Sequence, residues 1–108
     1  MKADKNLYMS EDFLSAMAEV IKLLGNPQRL QILEYLDING ESTVSDIVAG
    51  INGAQGAVSQ HLTKLRMAGV LSCRRNGRLA MYRIAADSAV TILNCMRRKW
   101  MTDSGKAR

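Results

Sequence analysis

The sequence has few of the residues on which disulfide scaffolds, metal centres and catalytic sites are usually built. Its 108 residues include two cysteines, one histidine and one proline. Cys73 and Cys95 form no CxxC pair and are too few for a disulfide-based fold. With His61 as its single histidine and no phosphate-binding glycine motif, the sequence lacks the usual constellations of an enzyme. We therefore expect neither an enzymatic activity nor a cofactor.

The sequence also has no apolar run that approaches the roughly 18 residues needed to span a bilayer. Its first twelve residues, MKADKNLYMSED, lack the apolar stretch of a signal peptide, which favours a cytoplasmic location and no membrane partner. Hydrophobic residues make up 47% and charged residues 23% of the chain, as is typical of a folded globular protein. The length leaves room for one domain, so we expect residues 1–108 to form a single unit.

Acidic residues are missing from a long central part of the chain. The formal net charge is +5, and no Asp or Glu lies between Asp46 and Asp87. The bases inside this window are Lys64, Arg66, Arg74, Arg75, Arg78 and Arg83. A solvated basic face is one explanation of such a run. A footprint for the phosphates of a nucleic acid explains it better, because the same window contains a helix with a polar face.

Hydrophobic spacing and capping residues predict the first two helices. Ser10 is a plausible N-cap for a first helix that ends near Leu24. Asn26 followed by Pro27 is a start signal for a second helix, which should end at the glycine of Asn39-Gly40.

The rest of the chain reads as two helices, a hairpin and a last helix. Thr43 predicts a capping box for a short third helix, VSDIVAGI, and a fourth helix runs from about Gln55 until Gly69 ends it. The segments VLSCRR and RLAMYRI flank Asn76-Gly77, a strong hairpin signal. A fifth helix begins at about Asp87.

This order predicts a winged helix-turn-helix, a mainly α fold with a two-stranded β wing. Val58, Leu62 and Leu65 share one face of the fourth helix and leave its polar residues on the other, as a helix in the major groove of duplex DNA requires. For His61, a phosphate contact and support of the turn are open alternatives. The residues expected to contact DNA are Gln55, Gly56, Ser59, Gln60, His61, Thr63 and Lys64 of the helix, and Arg74, Arg75 and Arg78 of the hairpin.

The first and last helices, at about 11–24 and 87–101, carry apolar stripes that a small winged domain does not need for its own core. Pairing with a twofold copy would remove this apolar area from water, at about 25 cal/mol per Å². The alternative is that each stripe lies on its own core. The residues expected at a homodimer interface are Phe13, Met17, Ile21, Leu93, Met96 and Trp100.

Several motifs resemble the ArsR/SmtB family of bacterial repressors over about residues 13–100. They are LGNPQRLQILEYL, ESTVSDIVAGI, QGAVSQHLTKLRMAGVL and a wing ending MYRI. QGAVSQHL most resembles the HlyU and BigR type of branch. The resemblance implies a homodimer that pairs through its first and last helices, binds an imperfect inverted repeat in DNA, and releases it when an effector binds.

The sensing motifs of the family are not matched. Residues 41–47, ESTVSDI, have hydroxyls where the family's metal-binding motif has two thiolates, and the last helix has Ala89 where the family has a histidine. We therefore expect no metal site, and the effector is unknown. At the start of the fourth helix, the family's capping serine is replaced by Ala54, which costs about 1 kcal/mol and predicts a mobile helix start. Gly53 stands where an aliphatic residue is usual.

The cysteines also depart from the HlyU and BigR pattern, whose paired cysteines correspond to Glu34 and a position near Met101. We expect Cys73 and Cys95 to be small buried residues. Reactivity of Cys73, favoured by its arginine neighbours, stays open.

The sequence thus predicts a sequence-specific DNA-binding regulator, a homodimeric repressor of transcription. A protein-interaction winged helix and a single-thiol redox-responsive regulator are the alternatives. An interaction module has no need of a polar recognition face or of an acid-free basic window, which favours the first interpretation.

Overall fold

A computed structural model describes residues 4–105 of the protein. A 3₁₀ turn at Lys5–Leu7 precedes the first α-helix. The helices are α1 (Glu11–Leu24), α2 (Pro27–Asn39), α3 (Val44–Ile51), α4 (Gln55–Met67) and α5 (Asp87–Asp103). The strands are β1 (Ser42–Thr43), β2 (Leu71–Asn76) and β3 (Leu79–Ile84). The order is that of a winged helix-turn-helix, as the sequence predicts, with one short strand added.

The helix starts follow from side chains that cap free backbone N–H groups. The Ser10 hydroxyl accepts a hydrogen bond from the backbone three residues later at 3.1 Å, and the Asn26 side chain accepts two at the start of α2. Thr43 and Asp46 form the reciprocal capping box of α3. These predicted caps are confirmed. Gly69, at φ +81°, turns the chain out of α4 into β2.

The sheet is antiparallel, with β3 between β1 and β2. The sequence predicted a two-stranded wing, but β1 pairs Ser42 with Tyr82 and Thr43 with Met81. A two-residue strand is too short to show alternation in the sequence, so its pattern was not visible. The pairing of Asn76 with the first residue of β3 makes Gly77 the first loop residue, one position later than the Asn-Gly signal suggests. Gly77 has φ +64°, which this position of a type II′ turn requires.

The core lies where α2, α3 and α4 meet, with the sheet and α5 closing it. Val58, Leu62 and Leu65 of α4 are fully buried, as is Ile47 of α3. This confirms the predicted apolar face of α4. Because the whole apolar back of α4 is held in the core, its orientation relative to the rest of the molecule is fixed.

The molecule is longer than a close-packed domain of its size. Its principal extents are 60 × 36 × 20 Å, and its Cα radius of gyration of 16.4 Å exceeds the roughly 13 Å of a compact chain of this length. Large apolar side chains of α1 and α5 remain exposed, among them Phe13 and Trp100. None of the helices in residues 4–105 is both long and apolar enough to cross a lipid bilayer.

Candidate nucleic-acid interface

The outer face of α4 is polar and open to solvent. Gln55, Gln60 and Lys64 are exposed, while Ser59 is half-buried beside them. The hydroxyl of Thr63 donates a hydrogen bond to the backbone carbonyl of Ser59 at 3.0 Å. Because that hydroxyl donates within its own helix, Thr63 has its methyl group and an acceptor oxygen left for outside contacts. The face can thus offer amides, a cation and a methyl group to a DNA groove.

The backbone N–H groups in the first turn of α4 have no side-chain cap. Ala54 makes no side-chain cap, so the predicted loss of a cap is confirmed. A Cβ atom at Gly56 would meet nothing within 4 Å, whereas one at Gly53 would lie 2.8 Å from the Cγ2 atom of Val58. The buried Val58 therefore explains why a glycine stands at position 53, where the family has an aliphatic side chain.

His61 lies on a flank of α4 and is joined to α2. Arg29 donates from Nε to Nδ1 of His61 at 3.1 Å, and from Nη1 to the carbonyl of Leu23 at 2.9 Å. Burial, followed by the charges of Arg29 and Lys64, lowers the pKa of His61 below its ordinary value. His61 thus connects α4 to the α1–α2 corner, a contact that the sequence did not predict. Arg29 was missed because 32 residues separate it from His61.

The two neighbouring arginines of the wing lie on opposite faces of the hairpin, because successive side chains alternate along a strand. Arg75 is opposite Ala80 and shares its face with Cys73, whereas Arg74 is opposite Met81. Arg75 and Arg78 are exposed at the tip, where Arg75 donates to the carbonyl of Arg78 at 3.3 Å. The hairpin tip therefore carries two cations close together, one at the end of β2 and one in the loop.

Arg74 is not a free phosphate ligand in this structure. It makes a bidentate ion pair with Glu41, the residue just before β1. Glu41 was not singled out in the sequence, because the pairing depends on β1 lying beside β3. The hydrogen bonds from Arg74 lower the pKa of the Glu41 carboxyl, and the charge of Arg83 acts in the same direction. The carboxylate of Glu41 therefore lies beside the basic residues of the wing, although the sequence between Asp46 and Asp87 contains no acidic residue.

Both cysteines are free and exposed. The expectation that Cys73 and Cys95 are buried packing residues is therefore wrong. Cys73 lies towards the tip of β2, beyond the part of the strand that enters the core at Leu71. Its neighbour across the sheet is Tyr82, whose pKa is raised, first by burial and then by the Cys73 thiol.

The six residues expected at a dimer interface fall into two groups. Phe13, Ile21, Met96 and Trp100 are exposed by between 41% and 58%, and Met17 is half-buried. Leu93 is only 4% exposed and belongs to the core of its own chain. Leu93 lies one helical turn after Ala89, on the face of α5 that packs inward. The prediction that it belongs to the exposed apolar stripe is therefore wrong.

In residues 4–105, no three His, Cys, Asp or Glu side chains are grouped closely enough to hold a metal ion.

Comparison with known proteins places this chain among bacterial regulators. Residues 26–72 match the profile of the family described as bacterial regulatory protein, arsR family. An uncharacterised HTH-type transcriptional regulator of Methanocaldococcus jannaschii is 36% identical over 76 residues, which span 70% of this chain and 85% of the relative.

Solved structures give the same picture. The transcriptional regulator HlyU from Vibrio vulnificus superposes with a TM-score of 0.76 at 27% identity, covering 83% of this chain and 93% of that chain. A homodimeric winged helix-turn-helix DNA-binding domain from Mycobacterium bovis, described as a possible ArsR-family regulator, superposes with a TM-score of 0.67 at 29% identity, covering 90% and 85% of the two chains.

Proposed function

The chain belongs to the ArsR family of bacterial regulatory proteins, and from this we propose that it is a homodimeric repressor that binds an inverted-repeat operator through α4 and the wing. The main support for this proposal is that α4 has a buried apolar face and an exposed polar face. Its apolar back, including Leu62 and Leu65, is fully buried, and its front, including Gln60, is exposed. A helix held this firmly can enter a major groove at a fixed angle.

The front of α4 offers groups suited to base edges. The amides of Gln55 and Gln60 can each make the bidentate contact that a glutamine makes with adenine, and the methyl group of Thr63 suits the thymine methyl. Lys64 lies beside them, and its ammonium group is suited to a phosphate of the DNA backbone. At the wing tip, Arg75 and Arg78 are exposed cations placed to bind phosphates without reading sequence.

The dimer would pair the exposed apolar residues of α1 and α5 with those of a second copy. Phe13 and Ile21 supply the α1 side, and Met96 and Trp100 the α5 side. A cavity of about 270 Å³ lies between α2 and α5, next to Trp100, and can receive an apolar side chain of the partner. Since half-sites of an inverted repeat are related by a twofold axis, a twofold dimer is the matching assembly.

Fluorescence anisotropy with a duplex from the region upstream of the protein's own gene tests this function. Gln60→Ala should reduce the preference for this duplex over a scrambled one, because a base contact is lost. Arg75→Ala should weaken binding to both duplexes and reduce the slope of log K against log salt by about 2, because the dimer loses one phosphate contact in each half-site. Arg98→Ala on α5 removes the same charge away from α4 and serves as the control. If both variants bind as the unmodified protein does, the placed interface is wrong.

A response through one thiol is a second candidate, favoured by the exposure of Cys73 on the wing. Iodoacetamide treatment tests it by attaching a carboxamidomethyl group to each accessible cysteine thiol, with loss of the thiol proton and of iodide. Cys95→Ser leaves only Cys73 to react, and Cys73→Ser leaves only Cys95. Loss of DNA binding on alkylation in the first variant alone would support this candidate, and unchanged binding in both would exclude it.

A further inference from the structure

The contact between Arg29 and His61 determines which ring nitrogen of the histidine carries hydrogen. Arg29 donates from Nε to Nδ1 of His61, so Nδ1 is the acceptor and bears no hydrogen in this contact. In a neutral imidazole the other nitrogen then carries it. The lowered pKa of His61 favours the neutral ring. The imidazole is therefore a single tautomer with a donor at Nε2.

That donor is not fully buried in the protein, although His61 itself is half-buried. Every buried side-chain nitrogen and oxygen in residues 4–105 has a hydrogen-bond partner. Within residues 4–105 the hydrogen bond to the ring is made at Nδ1, so Nε2 is not needed for packing inside the protein and is not fully buried. His61 also stands three residues before Lys64, so the two side chains are neighbours on one flank of α4.

The charges around His61 and Lys64 favour the binding of an anion on this flank of α4. Arg29 on α2 and Lys64 on α4 lie close enough to His61 to lower its pKa by their charge. The cleft beside them is also lined by Lys22 and by one acid, Glu19, both from α1. Three cations against one acid leave the cleft positive. The flank is turned away from Arg66, whose side of α4 lies near Tyr82 of the wing.

From these contacts we propose that Arg29 is a positioning residue for DNA binding, which holds His61 as the Nε2–H tautomer so that this N–H donates to a backbone phosphate also contacted by Lys64. Arg29 itself touches no DNA. The inference rests on the proposed function of α4. In addition to the phosphate contacts proposed for the wing tip, it places a contact to the DNA backbone on the flank of α4 opposite the wing.

Nitrogen-15 NMR tests the tautomer directly, because His61 is the only histidine in the chain. The unmodified protein at pH 7.5 should show the Nε2–H form, and Arg29→Met should show a mixture of the two tautomers. Arg29→Lys, which keeps the charge without the planar fork, should behave like Arg29→Met. An Nδ1–H tautomer in the unmodified protein would overturn the proposal, whether or not any variant folds.

DNA binding gives the second readout. His61→Met should raise Kd about tenfold for each half-site, because one hydrogen bond to a charged group is lost. Arg29→Met should raise it by only about twofold for each half-site, because the mixture of tautomers keeps part of the Nε2–H form. The double variant should bind no more weakly than His61→Met. The salt slope should stay unchanged in His61→Met, since the donor is neutral, but should fall by about 1.8 in Lys64→Met, because the dimer loses one phosphate contact in each half-site. His61→Gln retains an acceptor and a donor and should bind nearly as the unmodified protein does.

Lys22→Met is the matched control, because it removes a cation from the same cleft without a bond to His61. Equal losses in Arg29→Met and Lys22→Met would overturn the proposal, as would losses that multiply in the Arg29–His61 double variant. If the unmodified protein binds no duplex, the proposed function fails. If it binds and these variants bind equally well, only the present inference fails.

Discussion

The carboxylate of Glu41 holds the guanidinium of Arg74 through two hydrogen bonds, from Nε to Oε2 at 2.8 Å and from Nη2 to Oε1 at 2.6 Å. The pair joins the wing to the segment before β1, across β3. Arg74 is still 58% exposed, so solvent screens the pair and its contribution to stability is small. Its effect is on charge, because an arginine in the basic window is neutralised before any phosphate approaches.

We predict that Glu41→Gln strengthens DNA binding. With an uncharged partner at position 41, Arg74 can bind a phosphate, so the slope of log K against log salt should become steeper by about 2, one contact for each protomer of the dimer, with the largest gain in affinity at low salt. Glu34→Gln on α2, which changes the net charge equally, is the control. Anisotropy titrations from 50 to 300 mM salt measure both slopes. A slope unchanged in Glu41→Gln would mean that Arg74 lies away from the DNA backbone.

Two glycines on neighbouring helices should respond in opposite ways to the same substitution. A Cβ at Gly50 would overlap the ring of Tyr35, which packs against the core, whereas a Cβ at Gly56 meets open space. Gly50→Ala should therefore destabilise the fold by about 1–3 kcal/mol, as overpacking does. Gly56→Ala should stabilise it by about 0.5 kcal/mol, because alanine has the better helix propensity.

Urea unfolding followed by circular dichroism measures this pair of variants under identical conditions. Unchanged stability in Gly50→Ala would show that the Tyr35 ring moves aside at little cost.

The local parts of this fold could be predicted because their signals lie within a few residues. Ser10, Asn26 and Thr43 mark helix starts by side chains that reach only two or three residues along the chain. Gly69 marks the end of α4 by its own backbone conformation. The same holds for the apolar back of α4, which follows from helical spacing alone.

What could not be predicted depends on pairing between distant parts of the chain. The contact of Arg29 with His61 joins residues 32 apart, and that of Arg74 with Glu41 joins residues 33 apart. No sequence pattern encodes either one. Leu93 was misplaced for a related reason, because an apolar stripe on a helix does not say which part faces its own core and which faces outward.

The exposed residues of α1 and α5 predict a dimer that single substitutions weaken. Truncating an interface aromatic commonly costs more than 1 kcal/mol, so Phe13→Ala and Trp100→Ala should each raise the dimer dissociation constant by about fivefold or more. Ile38→Ala is the control, because Ile38 is 67% exposed at the end of α2, outside both stripes. Sedimentation equilibrium measures the constants. If Ile38→Ala alone weakens association, the interface involves α2 instead.

The stability of the protein should fall as the pH drops below about 6.5, through His61. Its pKa is lowered in the folded protein, so the unfolded chain takes up the proton first, starting near the ordinary value of about 6.5. The folded form therefore has its full advantage above that pH and loses it as the pH falls to the folded pKa. Protonation would also remove the acceptor that Nδ1 offers to Arg29 and place two cations together.

Urea midpoints between pH 7.5 and 5.5 should decline in the unmodified protein and decline less in His61→Gln, which has no group titrating at position 61. Parallel declines in the two proteins would mean that carboxylates, and not His61, control stability in this range.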